Sequence, residues 1–141
     1  MANMKKILAM AFVLSMIVFG IISCSDKGGG GGGGGGTEAN LVISTNPPAN
    51  SVQPAAPQAD FPLTVSITSA MPPQGVTIDV KAAPEGSTTN FFTETRSSTS
   101  ANNNFTITNT PVGVVCVVTV TVTSKTKATN TVSASYRYSR K

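Results

Sequence analysis

Between Phe61 and Ser139 apolar residues alternate with hydroxyl-bearing ones at period two, and that period limits the folds open to the chain more than any other feature. Successive side chains of a strand point to opposite faces, so such a segment buries one face and wets the other. Phe61, Leu63, Val65 and Ile67 alternate with Pro62, Thr64, Ser66 and Thr68. Val76, Ile78, Val80 and Ala82 alternate with Thr77, Asp79 and Lys81, and Phe105 and Ile107 with Thr106 and Thr108. The longest run covers residues 112–123, with Val118, Val120 and Val122 on one face and Thr119, Thr121 and Thr123 on the other. Val132, Ala134, Tyr136 and Tyr138 alternate with Ser133, Ser135, Arg137 and Ser139. A weaker strand is expected over residues 91–97, and residues 41–44 are expected to open the sheet. No segment after Ala39 carries a helical period.

Turn-forming clusters separate these runs: Asn46-Pro47-Pro48, Pro72-Pro73-Gln74-Gly75, Pro84-Glu85-Gly86-Ser87, Asn102-Asn103-Asn104, Asn109-Thr110-Pro111 and Thr129-Asn130. The reading is all-β: about seven short strands over residues 39–141, in a single antiparallel two-sheet sandwich. In strand number and rhythm the region resembles bacterial immunoglobulin-like or fibronectin-like domains. The buried tryptophan and paired cysteines of antibody domains are missing, and a β-barrel or another sandwich topology fits the same pattern. Both edge strands of such a sandwich need protection from other chains. The proline-rich stretch of residues 47–62 and the charged C-terminal tail are the candidates.

The first 23 residues have a different composition. Lys5 and Lys6 precede an apolar stretch over residues 7–22, as in a secretory signal peptide. As a helix that stretch would be roughly 24 Å long, short of the ~30 Å hydrocarbon core, so a permanent membrane-spanning helix is the weaker reading. The segment ends in Ile21-Ile22-Ser23-Cys24. Those four residues resemble the lipobox of bacterial lipoproteins: an aliphatic residue, a tolerant position, a small residue and the cysteine. The resemblance implies cleavage between Ser23 and Cys24, diacylglycerol on the Cys24 sulfur and acylation of the new amino terminus. Each buried methylene contributes about 0.8 kcal/mol, and a single acyl chain binds only marginally, so two or three on one residue are needed for lasting attachment. The resemblance further implies sorting by the next residue. Ser25, rather than aspartate, favours the outer membrane of the bacterial cell envelope, on its periplasmic or surface-exposed side.

Residues 28–36 are nine consecutive glycines. Glycine buries no side chain and loses the most backbone entropy on ordering, so residues 24–38 read as a lipidated cysteine followed by a flexible tether. Such a linker averages about 20 Å end to end and reaches about 45 Å when taut. A phosphate-cradling glycine loop would need a preceding strand, a following helix and a Lys-Ser/Thr pair, and the sequence offers none of these.

The chain contains no histidine. Its absence removes the usual general base, the commonest metal ligand, and the Ser-His and Cys-His nucleophile pairs. Cys116 lies among Val114, Val115, Val117 and Val118 and reads as a buried thiol acting as a small hydrophobe. The domain carboxylates Asp60, Asp79, Glu85 and Glu94 do not cluster as calcium ligands, and no Gly-x-Ser-x-Gly elbow occurs. No catalytic residue, metal site or cofactor is assigned, and the chain reads as a non-enzyme.

The formal charge of +4 includes Lys5 and Lys6 of the leader, and the remaining cations are scattered. No basic face with interleaved aromatics exists, so nucleic acid is not an expected partner. Phe91 and Phe92 are adjacent, so in a strand one of them points outward. Phe92 with Arg96 is the sequence's candidate contact patch. The expected partners are a membrane, through the N-terminal lipid, and an envelope protein or glycan. The leading expectation is a lipid-anchored binding, adhesion or spacer module. An extracellular glycan- or ligand-binding lipoprotein comes second and a hydrolase third.

Overall fold

The computed structural model describes residues 37–141. The signal segment with its expected helix, the Ser23–Cys24 cleavage point and the glycine run of residues 28–36 lie outside the described residues. The described residues form no helix; they form seven strands: β1 (Ile43–Asn46), β2 (Phe61–Ile67), β3 (Val76–Pro84), β4 (Phe92–Ser98), β5 (Asn102–Ile107), β6 (Val115–Ser124) and β7 (Thr131–Ser139). All pair antiparallel, in a three-stranded sheet ordered β1-β2-β5 and a four-stranded sheet ordered β4-β3-β6-β7. The fold is a β-sandwich. Its fourth strand pairs with β3, whereas constant-type immunoglobulin domains place that strand beside the first, second and fifth.

The period-two residues fill the space between the sheets. Leu63, Val65 and Ile67 of β2 and Phe105 and Ile107 of β5 face Val76, Ile78, Val80 and Ala82 of β3, Cys116, Val118, Val120 and Val122 of β6, and Tyr136 and Tyr138 of β7. The opposite faces are wet. On the four-stranded sheet a hydroxyl ladder runs across strands, with Thr121 Oγ1 3.0 Å from Ser133 Oγ and Thr123 Oγ1 2.9 Å from Thr131 Oγ1. Such cross-strand pairs hold register as the helix i,i+4 pairs do. At the turn of Pro72 to Gly75, the Gly75 backbone has φ +74°, and a Cβ there would sit 2.4 Å from the Ser98 carbonyl oxygen. Only glycine fits.

Three local expectations are corrected. Asn102, Asn103 and Asn104 begin β5 instead of forming a turn. Their amides are satisfied within the sheet region: Ser66 Oγ donates to Asn102 Oδ1 at 2.8 Å and Thr64 Oγ1 to Asn104 Oδ1 at 3.0 Å, while Asn103 Nδ2 reaches the Ser100 carbonyl at 2.9 Å. The 112–123 run enters its strand only at Val115, because Gly113 takes φ +74° and Gly113 N donates to the Arg140 carbonyl. The opening strand runs from Ile43 to Asn46, two residues later than expected, and Asn46 pairs with Thr64 instead of turning.

Residues 47–60 cross from the β1 sheet to the open side of β7. Asn50 N donates to Ser135 O (2.7 Å), Gln53 N to Arg137 O (2.8 Å) and Ala56 N to Ser139 O (3.1 Å), while Arg137 N donates back to Ser51 O (2.9 Å). The pairing is parallel to β7. The proline-rich stretch therefore covers the β7 edge with its own amides.

Candidate functional site

Alternation along β4 sets Phe92, Glu94, Arg96 and Ser98 on the side facing the other sheet, and Thr93, Thr95 and Ser97 outside. Phe92 is half-buried against the core, not an exposed platform. Arg96 reaches across the open side of the sandwich. Its guanidinium carbon lies 4.4 Å from the centroid of the buried Phe105 ring, Nη1 donates to the Asn104 carbonyl at 3.0 Å, and Nη2 pairs with Glu94. A cation over an aromatic face gains from the ring quadrupole, and charged side chains turned inward at an edge discourage pairing with other chains. Phe92 and Arg96 thus lie on one strand face, where Arg96 bridges the seam between the edge strands β4 and β5.

The sandwich has two unlike ends. Tracing the strands puts the entering chain, the β2–β3 and β4–β5 connections and the β6–β7 turn at one end. The β3–β4 and β5–β6 connections and the C-terminus lie at the other. At the entry end Asn130 fastens residues 38–41. Its Oδ1 accepts from Leu41 N at 2.9 Å, and its Nδ2 donates to Ala39 O at 2.9 Å and to Glu38 Oε1. Its own carbonyl accepts from Ser124 N at 2.9 Å. The side chain is nearly buried, as an amide with this many partners can be.

The far end is more apolar. Val112, Val114 and Val115 are 60%, 38% and 43% exposed, and Val117 and Ala83 pair beside them on the outer face of the four-stranded sheet. A depression of about 370 Å³ adjoins them, lined by Lys81, Pro84, Ser87 and Asn90 together with Ala83 and Val117. Arg137 Nε pairs with Glu85 Oε1 at 2.6 Å on its margin, and Arg140 Nη1 donates to the Thr110 carbonyl at 3.2 Å. Periodicity could not reveal this surface, since Val112 and Val114 looked like strand residues with one buried face.

The shifted titratable groups each have a local cause. Asp79 is held below the usual carboxylate range, chiefly by Lys81, whose Nζ lies 2.9 Å from Oδ2, with Thr95 donating to Oδ1 at 2.9 Å. Asp79 and Lys81 lie on the outer sheet face, where an ion pair is a solvated feature. Burial pushes the Cys116 thiol up, away from the thiolate a nucleophile needs. Burial likewise raises Tyr136, and lifts Tyr138 to about 12. Among the described residues no three His, Cys, Asp or Glu side chains converge as metal ligands. No described helix is long and apolar enough to cross a membrane. Comparison with protein-family models, curated proteins and solved structures finds no match.

Proposed function

We propose that the protein is a lipid-anchored, non-enzymatic module of the bacterial cell envelope that offers the end of its sandwich opposite the Asn130 clamp to an envelope partner. The carrying observation is polarity. The chain enters at the end fastened by Asn130, where Val42 is also exposed, and a cluster of three exposed valines, Val112, Val114 and Val115, lies at the other. A ten-residue strand such as β6 is about 33 Å long, so the two ends of the sandwich lie about that far apart. The lipobox resemblance at Ile21-Ile22-Ser23-Cys24 supplies the anchor in this reading, and Ser25 favours the outer membrane.

Mass spectrometry of the N-terminal peptide from cell membranes tests the anchor. The expected peptide begins at Cys24 and carries acyl chains, and Cys24→Ala moves the protein out of the membrane fraction. A mature chain starting elsewhere, or an unmodified cysteine, defeats the reading. Photo-crosslinkers at Val115 and at Thr126 in intact cells test the contact end. A reproducible envelope adduct from Val115 only is expected; equal adducts from both positions would remove the polarity argument.

A further inference from the structure

Strand β4 ends the four-stranded sheet, and its outer edge has no neighbouring strand among the described residues. The ladder fixes which of its backbone groups are free there. Glu85 N donates to Val115 O at 2.8 Å and Lys125 N to Gly75 O at 3.0 Å, both in the β3–β6 register. Hydrogen-bonded and non-hydrogen-bonded pairs alternate, so odd-numbered residues of β3 turn their amides to β6 and even-numbered ones to β4. Those even-numbered residues pair with Phe92, Glu94, Arg96 and Ser98. The N–H and C=O groups of Thr93, Thr95 and Ser97 therefore point out of the edge, and all three residues are exposed. Neighbouring edges are protected by other means. Residues 47–60 cover β7, and Arg96 Nη1 takes the Asn104 carbonyl of β5.

From this open edge and the order of its charges we infer that a second copy of the chain pairs with β4, antiparallel, about a two-fold axis through Thr95. Outward amides must meet outward amides, which restricts a symmetric pair to axes through single residues. An axis through Glu94 would oppose the two Glu94 carboxylates, and one through Arg96 the two guanidiniums. Like charges directly opposite are destabilising. The axis through Thr95 instead sets Glu94 of each copy opposite Arg96 of the other, at non-hydrogen-bonded positions where Cα atoms lie ~4.5 Å apart. Both side chains can be reached, with 44% of Arg96 and 34% of Glu94 exposed, and each keeps its partner within its own chain. Thr93 then meets Ser97, and Thr95 meets its own counterpart, in hydrogen-bonded pairs. Their hydroxyls extend the ladder that Thr121, Ser133, Thr123 and Thr131 make on the same outer face. Inward charges at an edge turn away strands that lack the matching order, so the Glu94–Arg96 pair selects its own copy. The assembly closes at two, because a two-fold pair uses both β4 edges and residues 47–60 occupy β7. It stands whether or not the N-terminus is lipidated.

The test co-expresses two differently tagged copies of the full chain, with a photo-crosslinker at Thr93. In intact cells an adduct carrying both tags is expected, and mass spectrometry should map the crosslink to Ser97 or its immediate neighbours. Thr95→Pro removes the amide on the axis and leaves the β3 ladder intact, whereas Thr95→Ala keeps the amide. The proline variant should give roughly tenfold less adduct than the alanine variant. Glu94→Arg sets cations opposite each other twice in the dimer and should lower the yield by a similar factor. Adding Arg96→Glu to Glu94→Arg exchanges the two charges and should restore the adduct, which a variant that merely fails to fold would not do. No adduct with both tags, a crosslink mapping outside β4, equal yields from Thr95→Pro and Thr95→Ala, or no recovery in the paired exchange would each overturn the dimer.

Discussion

Arg96 and Asn130 each join parts of the chain that the sheet ladders leave apart, and they do so at different depths. The guanidinium of Arg96 is partly in water, where its bond to Asn104 O and its place over Phe105 compete with solvent and salt. Asn130 is nearly buried and satisfies the Leu41 amide, which lies on a residue only 6% exposed. Removing one partner of a buried pair costs the full desolvation of the other. Asn130→Ala is therefore expected to lower stability by about 2–3 kcal/mol, and Arg96→Ala by only about 1 kcal/mol. Urea unfolding with unchanged m-values would measure both. An Arg96 loss as large as that of Asn130 would mean that the seam, and not the entry clamp, holds the sandwich closed. Arg96→Lys should recover part of its loss, because an ammonium keeps the charge and lacks the planar fork.

Among the elements, residues 47–60 form no named strand yet complete the architecture. Their amides occupy the β7 edge, and the ladder depends on Gln53 N donating to Arg137 O. Gln53→Pro removes that donor while keeping an extended backbone ahead of Pro54; Gln53→Ala keeps the donor. The proline variant should expose part of the β7 edge and show concentration-dependent self-association in sedimentation, whereas the alanine variant should stay as the parent does. Identical sedimentation of the two would show that the edge is protected by something else. The same comparison explains what the sequence could reveal. Leu63, Val65, Val80, Val118 and Val120 announced their strands because one buried face imposes period two on a local stretch. Pairing between residues 50–56 and β7 leaves no such trace, since the partners are some 85 positions apart and most of the crossing residues face water. Asn102 to Asn104 misled because asparagine favours turns only while its amide lacks a better partner, and Thr64 and Ser66 provide one. Phe92 and Arg96 were singled out as a surface pair, but which side of β4 faces the core depends on how the two sheets meet.

For the whole molecule, the absence of histidine and the burial of both tyrosines fix the form of the stability profile against pH. The chain lacks histidine, the side chain whose charge ordinarily changes between pH ~5 and ~8, so stability should be level there. In the unfolded chain a tyrosine loses its proton near pH ~10. In the folded chain Tyr138 keeps its proton to about 12, and Tyr136 is raised as well, both through burial. Above pH ~10 the unfolded state thus binds fewer protons than the native state, and stability must fall as pH rises. The contribution is complete below pH ~10 and is lost progressively toward the folded values. Keeping the Tyr138 proton from pH ~10 up to about 12 corresponds to about 3 kcal/mol, enough to bring a domain of this size close to unfolding when Tyr136 and Cys116 act in the same direction. On the acid side Asp79 works oppositely. Lys81 holds its pKa down, so its contribution is present above the unfolded value and fades as pH drops below it. Because that pair is partly in water, the acid limb should be shallow and the alkaline limb steep. Melting temperatures taken across the range, with phenolate absorbance recorded at each pH, would decide the matter. Tyrosine ionisation should coincide with unfolding instead of preceding it, and a melt that stays level through pH ~12 would mean that water reaches both hydroxyls in the folded protein.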